Sequence, residues 1–155
     1  MKLIIIIVSI IIFYIICYYI FPTEITILQS NINDFNFSNL LKRQPIVISD
    51  YIQDPEKIID CWFKFNFKSK IENNSNDWTH NNYKYLFINA TDNTEAIIYN
   101  AKRTKKNPET TDKIIIIKLQ KNQSLILPFK WKYYGNNLNI WGIDDIITFS
   151  FGKFF

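Results

Sequence analysis

The side chains most often used in catalysis are scarce in this sequence. The chain of 155 residues has one histidine and two cysteines. Nucleophilic catalysis needs a serine or cysteine activated by a neighbouring base. His80 lies in a polar, asparagine-rich stretch and is predicted to be an exposed loop residue. Cys61 lies within a predicted helix beside Trp62, where packing is expected rather than reactivity.

Asp144 and Asp145 are adjacent carboxylates of the kind that can perform acid–base chemistry. Their position after Gly142 and before an apolar run is typical of a turn. The sequence has neither a glycine-rich phosphate loop nor the cysteine–histidine spacing of a zinc site. We therefore predict no enzyme, no metal and no cofactor. A membrane-tethered enzyme of unknown class that uses His80 or the Asp144–Asp145 pair stays open as an alternative.

Aromatic and basic residues alternate near the C-terminus and form a candidate binding surface for a protein partner. Its members are Trp131, Tyr133, Tyr134, Trp141, Lys130 and Lys132. The same residues could serve as a platform in a carbohydrate- or ligand-binding β-domain. In the alternative interpretation, every second member fills the core while the lysines stay in water.

The elements that would position these residues are mostly short strands. Apolar β-prone runs are separated by turn signals, and βαβ alternation is absent, which predicts a mainly β (α+β) jelly roll or β-sandwich. One amphipathic helix is expected after Asp54, an N-cap followed by Pro55 at the first helical position. The polar stretch from Lys68 to Asn82 is predicted to be an exposed loop. The strands are predicted at Thr26–Gln29, Pro45–Ile48, Tyr83–Asn89, Ala96–Asn100, Lys113–Leu119, Ser124–Leu127, Asn139–Trp141 and Ile146–Phe151.

The region from Lys113 to Phe151 carries a family resemblance. A strand at Ile114–Leu119, a turn at Lys121–Ser124 and a strand at Leu125–Leu127 run into the segment Pro128–Tyr134. This arrangement resembles the closing section of cupin-like double-stranded β-helix domains related to JmjC oxygenases, as seen in large DNA viruses of protists. In that family a similar segment reads Pro-Pro-Gly-Trp-Trp-His.

The resemblance implies a degenerate member of the family. The family's iron is held by two histidines and one carboxylate. Tyr133 stands where the second histidine is expected, and no acidic residue follows His80 in a His-x-Asp/Glu pattern. A two-histidine site cannot form in a chain with one histidine, so the resemblance implies that the oxygenase activity is lost.

The N-terminal run from Leu3 to Phe21 is almost wholly apolar. As a helix it rises about 29 Å, close to the hydrocarbon thickness of a bilayer. The sequence therefore predicts a transmembrane signal-anchor over residues 1–22, with the lipid bilayer as partner, and one β-rich domain over residues 23–155. Lys2 precedes the run, so the positive-inside rule predicts a cytosolic N-terminus and a translocated domain. A cleaved signal peptide or a buried core element is the alternative.

Composition narrows the remaining function classes. The net charge is +4, and the excess is too diffuse to predict nucleic-acid binding. Residues with AT-rich codons, such as isoleucine, asparagine and lysine, are abundant, which fits a large DNA virus of protists, a protist or an insect endosymbiont. The leading hypothesis is a non-enzymatic, membrane-anchored protein with a structural or protein-interaction role in a virion or infected-cell membrane.

Overall fold

The computed structural model describes residues 2–20, 25–73, 77–100, 108 and 113–151, and it is mainly β with two sheets and four helices. The helices are α1 (Lys2–Ile20), α2 (Ser38–Leu41), α3 (Pro55–Trp62) and α4 (Ile146–Phe151). The strands are β1 (Leu28–Ser30), β2 (Ile46–Ile48), β3 (Phe67–Ile71), β4 (Thr79–His80), β5 (Tyr85–Ala90), β6 (Thr94–Asn100), β7 (Ile114–Leu119), β8 (Ser124–Pro128), β9 (Trp131–Tyr134) and β10 (Leu138–Asp144).

Strands β3 to β10 pair as one long antiparallel ribbon that is folded back between β6 and β7. From that fold outward, β6 pairs with β7, β5 with β8, β4 with β9 and β3 with β10. Successive pairs alternate between a large sheet, in the order β1-β2-β8-β5-β10-β3, and a small sheet, in the order β4-β9-β6-β7. The ribbon is therefore wound into a two-sheet roll.

Two hydrophobic cores lie on opposite faces of the large sheet. Leu86 and Ile88 of β5 face the small sheet, where they pack with Ile98 and Trp131. Tyr85 and Phe87 alternate with them and pack in the second core, beneath α2 and α3. Because both faces are covered, every residue of β5 is buried. Its sequence therefore lacks the polar alternation of a half-exposed strand.

The predicted start of α3 is confirmed. Asp54 is the N-cap, and its side chain accepts a hydrogen bond from the backbone N–H of Lys57 at 3.2 Å. Pro55 occupies the first turn, where a missing N–H costs nothing. Cys61 of this helix is exposed, so its predicted packing is wrong.

The predicted transmembrane anchor, and with it the single-pass membrane location, is wrong. In the part of the chain that the structure describes, no helix is long and apolar enough to cross a membrane. The predicted boundary at residue 22 lies outside the described residues.

Two local predictions are also wrong. The stretch predicted as an exposed loop contains β3 and β4. These strands form because their backbones pair with β10 and β9, and their polar sequence does not predict that pairing. The predicted strand Ile146–Phe151 is α4, since Asp145 caps its first turn through the N–H of Thr148 at 2.7 Å. Among the described helices, α4 is therefore the one at a place where a strand was predicted.

Candidate functional site

A cleft of about 280 Å³ lies where β3 begins and β10 ends, with α4 forming one side. Aromatic and polar side chains share the lining. The lining residues are Phe67, Lys68, Ser69, Asn82, Tyr83, Asp144, Thr148 and Phe149. The volume is near the lower end of the range for small-molecule sites, so the cleft has room for a small ligand.

Asp144 places a carboxylate in this cleft. It is only 5% exposed and alternates along β10 with Ile140 and Gly142, so it lies on the face that is turned toward the small sheet. Its Oδ1 accepts a hydrogen bond from the backbone N–H of Lys84 at 2.8 Å. Its Oδ2 has no hydrogen-bond donor among the described residues. Burial raises the pKa of Asp144 and the charge of Asp145 raises it further, although the backbone hydrogen bond and the charge of Lys84 oppose the rise.

Asp145, in contrast to Asp144, is held by side-chain partners on both carboxylate oxygens. The Lys84 ammonium lies 2.6 Å from its Oδ2, and the N–H and hydroxyl of Thr148 donate to its Oδ1 at 2.7 and 2.8 Å. Burial alone would raise the pKa of Asp145, but the hydrogen bonds and charge of Lys84 and the hydrogen bonds from Thr148 outweigh it and lower the pKa to about 2. Both carboxylate oxygens are engaged, so this group caps α4 and holds Lys84.

The walls of the cleft are aromatic. The rings of Phe67 and Phe149 stack with centroids 4.6 Å apart and planes 26° apart. They are 48% and 62% exposed, so each is accessible from the solvent side. Tyr83 forms a third wall and packs against Gly142, which has no side chain to displace it.

A short polar loop supports the third wall. The Nδ2 of Asn81 donates to the carbonyls of Leu127 and Pro128 at 3.1 and 2.8 Å, and its Oδ1 accepts the N–H of Tyr83 at 2.8 Å. Asn81 is fully buried. Next to it, Asn82 lines the cleft and its Oδ1 lies 2.8 Å from Nδ1 of His80. The loop therefore fixes the position of Tyr83 through the backbone.

His80 and Tyr133 lie on opposite faces of the small sheet. His80 is directly opposite Lys132, whereas Thr79 is opposite Tyr133. Tyr133 belongs to the core between the sheets, so His80 is on the outer face. Burial lowers the pKa of His80, and the charges of Lys132 and Lys130 lower it further, although the hydrogen bond with Asn82 opposes the change.

The residues predicted as a binding surface do not share one face. Trp131 and Tyr133 belong to the core between the sheets, and Trp141 belongs to the second core. Lys132 is buried on the outer face of the small sheet, beside the Tyr99 ring. Lys130 and Tyr134 are half-buried. Burial also raises the pKa of Tyr133.

Most of the cleft was not found from the sequence. The sequence predicts that Asp144 lies in a turn and does not predict that it lines a cleft. Phe67, Tyr83 and Phe149 gave no signal that they converge, because they come from three separate segments. The hydrogen bonds of Asp145 to Thr148 bring the last of these segments to the cleft.

Comparisons with protein-family models, with curated proteins and with solved structures give no match. Within the described ranges, no group of three or more histidine, cysteine, aspartate or glutamate side chains is arranged to hold a metal ion.

Proposed function

We propose that this domain is a non-catalytic binding domain that takes a small ligand in the cleft between β3, β10 and α4. One observation carries the proposal: Asp144 is only 5% exposed and lines the cleft, and its Oδ2 has no donor among the described residues. Removing a carboxylate from water costs free energy unless polar groups replace the water. A ligand that donates a hydrogen bond to this oxygen offsets that cost.

The aromatic walls fit the same role. Ligand sites combine apolar and aromatic surface with a few polar groups that fix orientation. Phe67, Tyr83 and Phe149 provide the apolar surface, while Asp144 and Asn82 provide the polar groups. The sequence-based alternative of a ligand-binding β-domain is thus retained, but the proposed binding site is the cleft and not the surface around Trp131.

We further propose that the domain is a degenerate relative of the cupin-like domains. The support is the ribbon of β3 to β10 wound into facing sets, β3-β10-β5-β8 and β4-β9-β6-β7, which is the arrangement of a double-sheet jelly roll. The chain has one histidine, and His80 lies on the outer face of the small sheet while Tyr133 lies in the core. These residues do not fit the two-histidine iron site of that family.

An enzymatic role would have to use Asp144 without Asp145. Acid–base catalysis by the pair requires that both groups reach the substrate. Asp145 has one oxygen on Lys84 and the other on Thr148. The contacts of the pair therefore favour binding over catalysis.

The test is a fragment screen against the ¹⁵N-labelled full chain, read by the shifts of backbone amides. We expect neutral and charged fragments to shift amides around Phe67, Asn82, Asp144 and Thr148. Phe149→Ala removes one wall of the cleft. It is expected to weaken the affinity of the best fragment about fivefold, since contact with an aromatic ring contributes about 1 kcal/mol.

Phe65→Ala is the matched control, because Phe65 is 94% exposed and does not line the cleft. It should leave fragment affinity unchanged. A screen in which no fragment shifts the cleft amides, or in which both variants weaken binding equally, overturns the proposal. Turnover of a bound fragment that is lost in Asp144→Asn would instead establish an enzyme.

A further inference from the structure

We infer that the cleft selects a small organic cation, an alkylammonium ion whose charge lies against Asp144 and whose carbon atoms contact Phe67, Tyr83 and Phe149. This inference rests on the proposed function and deepens it by naming the class of ligand. It is carried by the charges around the cleft and by the chemistry of its walls.

The basic side chains near the cleft are already paired with other carboxylates. The Lys68 ammonium lies 2.5 Å from Oδ1 of Asp60, and the Lys84 ammonium lies 2.6 Å from Oδ2 of Asp145. Each pair is neutral. The charged residues that line the cleft are Lys68 and Asp144. Because Lys68 is paired with Asp60 outside the cleft and Lys84 with Asp145, the carboxylate of Asp144 is the charge left to attract a ligand.

Charge and burial together favour a cation over other ligands. An anion would be repelled by Asp144, which is 5% exposed and poorly screened by solvent. A neutral polyol could donate a hydrogen bond to Oδ2, but it would leave the buried charge uncompensated. A cation compensates the charge, and a hydroxyl or N–H group that it carries can donate the hydrogen bond to Oδ2.

The walls favour an organic cation over a metal ion. Calcium and magnesium require several oxygen ligands or a shell of retained water. The cleft has one carboxylate, and Oδ1 of Asn82 and the hydroxyl of Thr148 already contact His80 and Asp145. An alkylammonium ion has a diffuse charge and an apolar surface, and it is attracted to the faces of aromatic rings. The exposed rings of Phe67 and Phe149 supply such faces next to the carboxylate.

The experiment titrates the ¹⁵N-labelled full chain with choline chloride and, separately, with dimethylbutanol, the uncharged carbon isostere of choline. We expect choline to shift the amides around Asn82, Asp144 and Thr148, and the isostere to bind at least about tenfold more weakly. Asp144→Asn keeps an oxygen for the Lys84 N–H and removes the charge. It should weaken choline at least about tenfold and leave the isostere nearly unchanged.

Asp92→Asn is the control variant, because Asp92 lies in the exposed turn between β5 and β6, and it should not alter either affinity. Equal affinity for choline and its isostere overturns the inference and leaves the proposed function standing. The same holds if choline fails to bind while neutral fragments shift the cleft amides. If neither choline nor any fragment reaches the cleft, both proposals fail. The comparison of the two ligands on the unaltered protein decides the inference even if Asp144→Asn does not fold.

Discussion

A β-carbon on residue 142 would lie 2.4 Å from Cδ1 of Tyr83, so the glycine in β10 allows the tyrosine ring to pack against the strand. Gly142 is held between Leu86 of β5 and Ser69 of β3, and the strand cannot move aside without disturbing both neighbours. The ring must therefore move if a side chain is added. This contact links the sheet to one wall of the cleft.

We expect Gly142→Ala to destabilise the fold by about 1–3 kcal/mol, the usual cost of overpacking a dense site. Denaturant unfolding measures the change. Tyr83→Ala should reduce this cost when the two changes are combined, because the side chain that clashes is then gone. If the losses of the two single variants simply add in the double variant, the Tyr83 ring is not what excludes a side chain at residue 142.

The second prediction concerns acid stability and Asp145. Lys84 and Thr148 outweigh the effect of burial and lower the pKa of Asp145 from its ordinary value to about 2. A lowered carboxylate pKa stabilises the fold above the unfolded value, and this contribution is lost as the pH falls through the folded value. The shift corresponds to about 2 kcal/mol at most.

We therefore expect the unaltered protein to lose this stability between about pH 4 and pH 2. Asp145→Asn should be less stable at pH 7 and should lose less on acidification. Thermal unfolding followed across this range measures both. Parallel stability–pH curves for the two proteins would contradict the assignment of Lys84 and Thr148 as the stabilising partners.

The third prediction concerns Asp144, where the sign is opposite. Burial, followed by the charge of Asp145, raises the pKa of Asp144. A carboxyl group with a raised pKa favours the folded state at low pH and loses that contribution as the pH rises through the folded pKa. Asp144→Asn should therefore be more stable than the unaltered protein at pH 7, and the gain should shrink toward pH 3. Calorimetry with Asp92→Asn as control tests this, and a lower melting temperature for Asp144→Asn at pH 7 would refute it.

The fourth prediction concerns the buried amide of Asn81. Two of its hydrogen bonds join the loop before β5 to the end of β8, and the third, from the N–H of Tyr83, lies within the loop. Asn81→Ala leaves two buried carbonyls and one N–H without these partners, which should cost about 2–4 kcal/mol. Asn136→Ala, at an exposed turn, should change the free energy of unfolding by less than about 0.5 kcal/mol. Equal losses in denaturant unfolding would mean that Asn81 is not a structural link.

Secondary structure could be predicted where neighbouring residues decide it. Asp54 and Pro55 set the start of α3 because a cap and its N–H lie three residues apart. Apolar runs such as Ile46–Ile48 and Ile114–Leu119 become strands as predicted. By contrast, the side chains of Phe67–Ile71 give little strand signal, since its strand conformation depends on pairing with β10.

The sequence by itself determined the mainly β character, the α3 cap and the impossibility of a two-histidine iron site, because composition and short-range spacing decide these properties. The tertiary structure decided that Trp131 and Trp141 lie in separate cores and that Asp144 is buried beside Phe67 and Phe149. Burial and convergence depend on which strands pair and which faces meet. Those contacts join residues far apart in the chain, and no local pattern encodes them.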